Sequence, residues 1–239
     1  MSPVYDCTTE SGRAEGVAAA AGAVRDGQAV VLPTDTVYGI GADAFSPEAV
    51  ASVLAAKGRG REMPPPVLVS SVRTVDGLAT DVPAYARELI AAFWPGPLTL
   101  VLTAQSSLMW DLGETNGTVA LRMPQDEVAL ALLTEVGPMA VTSANLTGQP
   151  PATTVTDAAA QLGAAVAVYL DGGPTVGTAV STIVDCTGEE PVVLRHGAIT
   201  QDELDAALAR PPEAKVDAKD EAIELPADPT PHAGDHDER

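Results

Sequence analysis

The stretch that most constrains this chain is Ala29-Val30-Val31-Leu32, followed at once by Pro33. An unbroken apolar, β-branched run with no polar residue alternating through it reads as a strand buried on both faces. Proline ends it, because it cannot donate to a ladder. Beyond Pro33 come Thr34, Asp35, Thr36, Tyr38, Gly39 and Gly41, which together supply hydroxyls, one carboxylate and two permissive backbone positions. Open α/β sheets hold ligands just past the carboxyl ends of such strands. The stretch is therefore expected to be a glycine-rich loop from strand to helix, where a ligand can approach backbone N–H groups closely.

Around this strand the chain alternates helix and strand signals. Helices are expected over Ser11 to Asp26 with Gly27 as a stop, from the Ser46-Pro47-Glu48 cap to Lys57, and from Asp81 with Pro83 to Phe93. Three more run from about Glu127 to Val136, Val155 to Leu162, and the Thr200-Gln201-Asp202-Glu203 capping box to Leu208. Short strands are expected at Val67–Val69, Leu98–Leu102, Thr118–Arg122 after the Asn116-Gly117 turn, Met139–Thr142, Val166–Leu170, Ser181–Asp185 and Pro191–Leu194. The pattern predicts an α/β domain over 1–210, a sheet mixing parallel and antiparallel pairs with flanking helices.

From Pro211 onward the sequence changes character. Residues 211–239 carry nine acids against three Lys/Arg, with five prolines and almost no bulky apolar side chains, and read as a disordered acidic tail. His232 and His236 lie there among acids, and a solvated tail is preferred to a metal site.

Composition then excludes several classes. The 239 residues carry a formal charge of −20 with a pI near 4.2, which argues against a broad electrostatic grip on nucleic acid or on an anionic membrane. Cys7 and Cys186 are the only cysteines and no metal-ligand spacing occurs, so a disulfide framework and a protein-ligated metal are not expected. With no leader and no long apolar run, the chain reads as reduced, intracellular and cytoplasmic.

The cations of the folded part are few, and five stand where elements give way to loops: Lys57, Arg59, Arg61, Arg122 and Arg195. Together with hydroxyl-rich strand ends at Thr34/Thr36, Thr142/Ser143/Asn145 and Ser181/Thr182, they point to a shared pocket for phosphate or carboxylate. No phosphate-loop, dinucleotide, nucleophile-elbow or zinc-protease motif is present, and His196 is the sole histidine in the folded part. Such a site suits positioning a nucleotide and stabilising charge, which is how phosphoryl and nucleotidyl transfer are catalysed.

The motifs Pro33-Thr34-Asp35-Thr36-Val37-Tyr38-Gly39-Ile40-Gly41, Lys57-x-Arg59, Trp94-Pro95-Gly96-Pro97-Leu98-Thr99, Val119-Ala120-Leu121-Arg122-Met123-Pro124, Ser143-Ala144-Asn145, Ser181-Thr182-Ile183 and Leu194-Arg195-x-Gly197 resemble, in order, those of the YrdC-like family, the threonylcarbamoyl-AMP synthases. The resemblance spans roughly 12–208 and implies a twisted mixed sheet with a concave cationic cavity, in the single-domain form of the family. It implies that L-threonine, bicarbonate and ATP give L-threonylcarbamoyladenylate and pyrophosphate. Downstream transferase proteins would use the adenylate to modify tRNA at position 37.

Carried over by position, Thr36, Arg122 and Ser181 would hold threonine. Lys57, Arg59, Thr118, Ser143, Asn145, Pro151 and Arg195 would contact ATP, with Lys57 and Arg59 in catalytic roles and Mg2+ arriving with the nucleotide. The chain departs from the family pattern in a longer Gly60–Pro66 path, in lacking a His near Ser70, and in Asp126, where a His is common. An RNA-binding module is disfavoured by the net charge, leaving at most weak direct RNA contact. A carbamoyltransferase module of the hydrogenase-maturation kind would need cysteine-rich segments that two isolated cysteines do not supply.

Overall fold

The computed structural model describes residues 2–175 and 179–209. The expected acidic tail lies outside them. β1 (Val4–Asp6) leads into α1 (Glu10–Arg25), which starts where the Thr9 hydroxyl accepts from the Gly12 N–H. β2 (Val30–Leu32) is fully buried, as its uninterrupted apolar run requires. The expected loop after it is only partly a loop. Gly39–Asp43 forms a strand, β3, that folds back antiparallel on β2, with Val31 opposite Ile40.

α2 (Pro47–Lys57) begins under a Ser46 cap and ends at Gly58. β4 (Val67–Leu68) follows, then a 3-10 turn at Val72–Thr74 and α3 (Val75–Leu78), neither of which the sequence signalled. α4 (Ala84–Phe93) starts later than expected, because Asp81 sits in the left-handed region at φ 52° and cannot join a helix. Next come β5 (Leu98–Thr103), β6 (Thr118–Arg122), α5 (Glu127–Val136), β7 (Met139–Ser143), α6 (Val155–Leu162) and β8 (Val168–Asp171). β9 (Thr182–Asp185), β10 (Val192–Arg195) and α7 (Gln201–Leu208) complete the described residues, and both bonds of the Thr200/Glu203 capping box are formed.

Among the described residues the strands make one sheet in the order β1-β8-β2-β3-β7-β4-β6-β5-β9-β10. The β1/β8, β2/β8, β4/β6 and β5/β9 pairs are parallel and the others antiparallel. Side-chain alternation then divides the core. Val30 and Leu32 face α1 and α5, while Val31 faces the opposite way, toward α2 and α6.

On the other half of the sheet, Leu98, Leu100 and Leu102 of β5 and Leu121 of β6 pack with α4 and α7. Their alternates, Thr99 and Val101 of β5 and Ala120 and Arg122 of β6, face a cavity instead. The α1/α5 layer stops at Leu68 and Val141, which belong to its core and also line that cavity. One face is thus covered along only part of its length, and the uncovered part is concave. No helix among the described residues is long and apolar enough to cross a membrane.

Candidate active site

The cavity encloses about 460 Å3 and collects residues from distant parts of the chain. It lies on the sheet face rather than beyond the strand ends, since mid-strand residues Val101, Ala120 and Ile183 form its floor. The glycines of the opening motif serve this geometry differently from the expectation. A Cβ at Gly39 would fall 2.6 Å from Val141 Cγ1, and one at Gly41 would fall 2.6 Å from Val141 Cγ2. Two successive positions on that face of β3 must therefore be bare for β7 to bring Val141 to the cavity wall.

Arg122 ends β6 and is 6% exposed. Its Nη2 donates to Asp35 Oδ1 at 2.6 Å, its Nη1 to Thr36 Oγ1 at 3.0 Å and its Nε to the Gly96 carbonyl at 3.0 Å. A guanidinium has five N–H donors, so one on each terminal nitrogen has no partner among the described residues. Burial pushes this guanidinium down, and Asp35 opposes that. Asp35 Oδ1 also accepts from the Gln125 N–H at 2.9 Å, while its Oδ2 is buried without a partner. Thr36 is positioned by Thr34, whose hydroxyl lies 3.0 Å from Thr36 Oγ1 and donates to the Val37 carbonyl at 2.7 Å.

Two more arginines converge here. Arg59 donates through Nη1 to Thr142 Oγ1 at 2.8 Å, and its buried Nε has no partner among the described residues. Arg195 donates to the Ser181 carbonyl through Nε at 3.1 Å and Nη2 at 2.7 Å, and to Ser181 Oγ at 2.9 Å. The Ser181 hydroxyl is also 2.9 Å from Thr99 Oγ1, so one bonded chain joins β5, the strand entry at Ser181 and β10. The Arg195 guanidinium is pushed down by burial, then by Arg122 and Arg59. Arg59, Arg122 and Arg195 all line the one cavity. Glu114 is the carboxylate in its lining.

Thr36, Arg59, Thr118, Arg122, Ser143, Ser181 and Arg195, all expected at a site, line this one cavity. Lys57, Asn145 and Pro151 lie outside its lining. Lys57 is 2% exposed, and its ammonium donates to the Ser143 carbonyl and, at 2.6 Å, to the Asn145 carbonyl. Asn145 in turn donates to the Leu146 and Gln149 carbonyls at 2.8 Å each, so Lys57 and Asn145 together shape the turn after β7. Burial and then Arg59 hold the Lys57 ammonium down at about 8. Pro151 is exposed on the following loop.

Arg61 does not join the anion pocket. It pairs with Asp111 at 2.8 Å on the surface, so for this residue the neighbouring acid decides its orientation. His196 is exposed. The sequence marks Asp35 as the one carboxylate of the stretch after Pro33 but gives it no partner, whereas nothing local marks Glu114. Among the described residues no cluster of His, Cys, Asp and Glu could hold a metal ion by itself.

The Sua5/YciO/YrdC family model, described as telomere recombination, matches residues 22–197. A Mycobacterium tuberculosis (strain H37Rv) protein provisionally named a threonylcarbamoyl-AMP synthase is 55% identical over 208 residues, 87% of this chain and 96% of that one. The threonylcarbamoyl-AMP synthase of Bacillus subtilis is 39% identical over 195 residues, 80% of this chain and 56% of its own length. The crystal structure of Pyrococcus abyssi Sua5 complexed with L-threonine matches with a TM-score of 0.82 at 34% identity, covering 87% of this chain and 61% of that one. Escherichia coli YciO shares the fold, with a TM-score of 0.76 at 23% identity over 85% of this chain and all of that one.

Proposed function

The chain belongs to the Sua5/YciO/YrdC family, and we propose that its cavity joins L-threonine, bicarbonate and ATP into L-threonylcarbamoyladenylate and pyrophosphate. The observation that carries this reading is the convergence of Arg59, Arg122 and Arg195 on one hydroxyl-lined volume. A cavity of this kind brings two anions together against their repulsion, which is what the reaction needs.

Arg122 takes the threonine carboxylate on its two remaining donors, a bidentate arrangement that suits a guanidinium. Thr36 and Ser181 add hydroxyl contacts from either side. Arg59 and Arg195 face the phosphates, with Ser143 and Thr118 along the nucleotide. Lys57 and Asn145 hold the turn that carries Ser143, and Pro151 flanks that turn, so their contribution to nucleotide binding runs through backbone placement. Mg2+ accompanies the nucleotide. Phosphate oxygens and water would hold it, a donor set suited to a hard cation that keeps several waters. When bound it neutralises charge on the phosphates.

The neutral threonine amine combines with bicarbonate to give the carbamate and water. A carbamate oxygen attacks the α-phosphorus in line, and the bond to the leaving pyrophosphate breaks. The protein's part is to align these groups and to hold charge at Arg59 and Arg195.

The adenylate passes to a transferase that modifies tRNA position 37 in the cytoplasm. With a net charge of −20, direct RNA contact by this chain is at most weak. Residues 1–210 form the catalytic unit.

The test is pyrophosphate release from ATP in bicarbonate buffer, with and without L-threonine, with the nucleotide product identified by mass. Release that needs both threonine and bicarbonate and yields a threonylcarbamoyl-AMP mass is expected. Absence of threonine-dependent release from folded protein would overturn the reading.

A further inference from the structure

The connection between β5 and β6, residues 104–117, is a wall with space on both sides. Leu112 and Thr115 line the arginine cavity and also a second cavity of about 390 Å3 behind it, bordered by Leu108 and Trp110. Leu112 is buried in the core, with Leu108 and Trp110 packed against it and Trp110 stacked on Phe45, so the wall is anchored there, whereas the exposed Glu114 and the half-buried Thr115 lie beyond that anchor. Among the described residues, the hydrogen bonds that reach the wall from the loop at 58–66 come from Arg61. Arg61 Nη2 donates to Asp111 Oδ1 at 2.8 Å and Oδ2 at 3.0 Å, and the Arg61 carbonyl accepts from the Glu114 N–H at 2.8 Å.

The wall is shaped to receive these bonds. Asp111 Oδ1 also accepts from the Gly113 N–H at 3.1 Å, folding the segment back on itself. Gly113 has φ 108°, and a Cβ there would lie 2.6 Å from the Arg61 carbonyl, so only glycine lets the two backbones meet. On the far side of the tie, Pro64, Pro65 and Pro66 line the arginine cavity, facing Glu114, Thr115 and Thr118.

From this we infer that Arg61 is a positioning residue for the nucleotide, tying the 104–117 wall to the 58–66 loop so that Glu114 stays at the cavity and the Thr115 carbonyl stays on the Thr118 hydroxyl, which donates to it at 2.8 Å. Arg61 touches no reacting group. It acts through the wall, and the inference rests on the reading that ATP lies along Thr118. Threonine, held at Arg122 and Thr36 on other elements, is outside its reach.

The test compares wild type with R61A, D111N and the R61A/D111N double variant, measuring KM for ATP and for threonine by threonine-dependent pyrophosphate release. D111N keeps an oxygen for the Gly113 N–H while removing the charge. R61A is expected to raise the ATP KM about fivefold, in line with an exposed ion pair that orders a loop, while the threonine KM moves by less than about twofold. The double variant is expected to be no worse than R61A, because both changes break one tie. An unchanged ATP KM, equal rises for both substrates, or additive losses in the double variant would each overturn the role of Arg61. Wild-type protein without threonine-dependent release would instead overturn the functional reading beneath it.

Discussion

The Asp35–Arg122 pair makes the sharpest prediction, because both side chains are nearly enclosed, at 13% and 7% exposure, and separated by 2.6 Å. At that distance and an effective dielectric of about 20 the attraction is about 6 kcal/mol, comparable to the several kcal/mol that each ion loses in leaving water. The intact pair therefore contributes little net stability. Removing one member is different, since the other is left buried and uncompensated at a cost of about 3–5 kcal/mol.

Asp35→Ala exposes that cost and also strands the Gln125 N–H and one Arg122 donor. Asp35→Asn loses the charge as well but keeps an oxygen for the Gln125 N–H and for one Arg122 donor, so it should be milder by about those two hydrogen bonds. Denaturant unfolding followed by circular dichroism, with unchanged slope, should show Asp35→Ala less stable by about 3–5 kcal/mol and Asp35→Asn destabilised by about 1–2 kcal/mol less than that. Threonine should raise the melting temperature of Asp35→Asn more than that of wild type, because its carboxylate supplies the missing negative charge. An Asp35→Ala loss below about 1 kcal/mol would mean that the pair is solvated, and the argument for a preset guanidinium would fail.

Other perturbations follow from the same geometry. Gly39→Ala should cost about 1–3 kcal/mol through overpacking against Val141, and Gly39→Ala/Val141→Ala should regain most of it in the same unfolding assay. No recovery would show that the strain lies in the backbone. Lys57 gives a pH dependence. Its folded value of about 8 is below the unfolded 10.5, so between these the unfolded chain binds more protons and stability rises with pH. The stability difference between wild type and Lys57→Met should therefore shift in favour of wild type across that window, and a flat difference would remove the buried-charge argument. Arg122→Ala should raise the threonine KM far more than the ATP KM in the pyrophosphate assay, and the reverse order would exchange the assigned subsites.

Where a signal is local, the sequence alone determined the outcome. The Asp126, Thr154 and Thr200 caps each accept from a backbone N–H three residues on, and α5 and α6 begin directly after their caps, as expected. The Asn116-Gly117 turn takes positive φ at both positions, 51° and 79°, and β6 starts at the next residue. Seven of the expected site residues also reach one cavity, since the motifs that carry them stand at strand ends and loop entries that the sheet gathers together.

Tertiary structure decided the rest. Gly39 and Gly41 look like loop residues until β7 arrives on one side of them and β2 on the other, and β1 is a strand only because β8 pairs with it. Arg59 and Arg61 are two residues apart in the same loop, yet one lines the cavity beside Thr142 and the other meets Asp111, a partner 50 positions away. Lys57 likewise turns toward carbonyls delivered by β7. Caps and turns are closed by neighbours within a few residues, so their energetics are written locally. The direction a charged side chain takes depends on which distant acceptor the sheet register brings within about 3 Å, and only the assembled sheet fixes that.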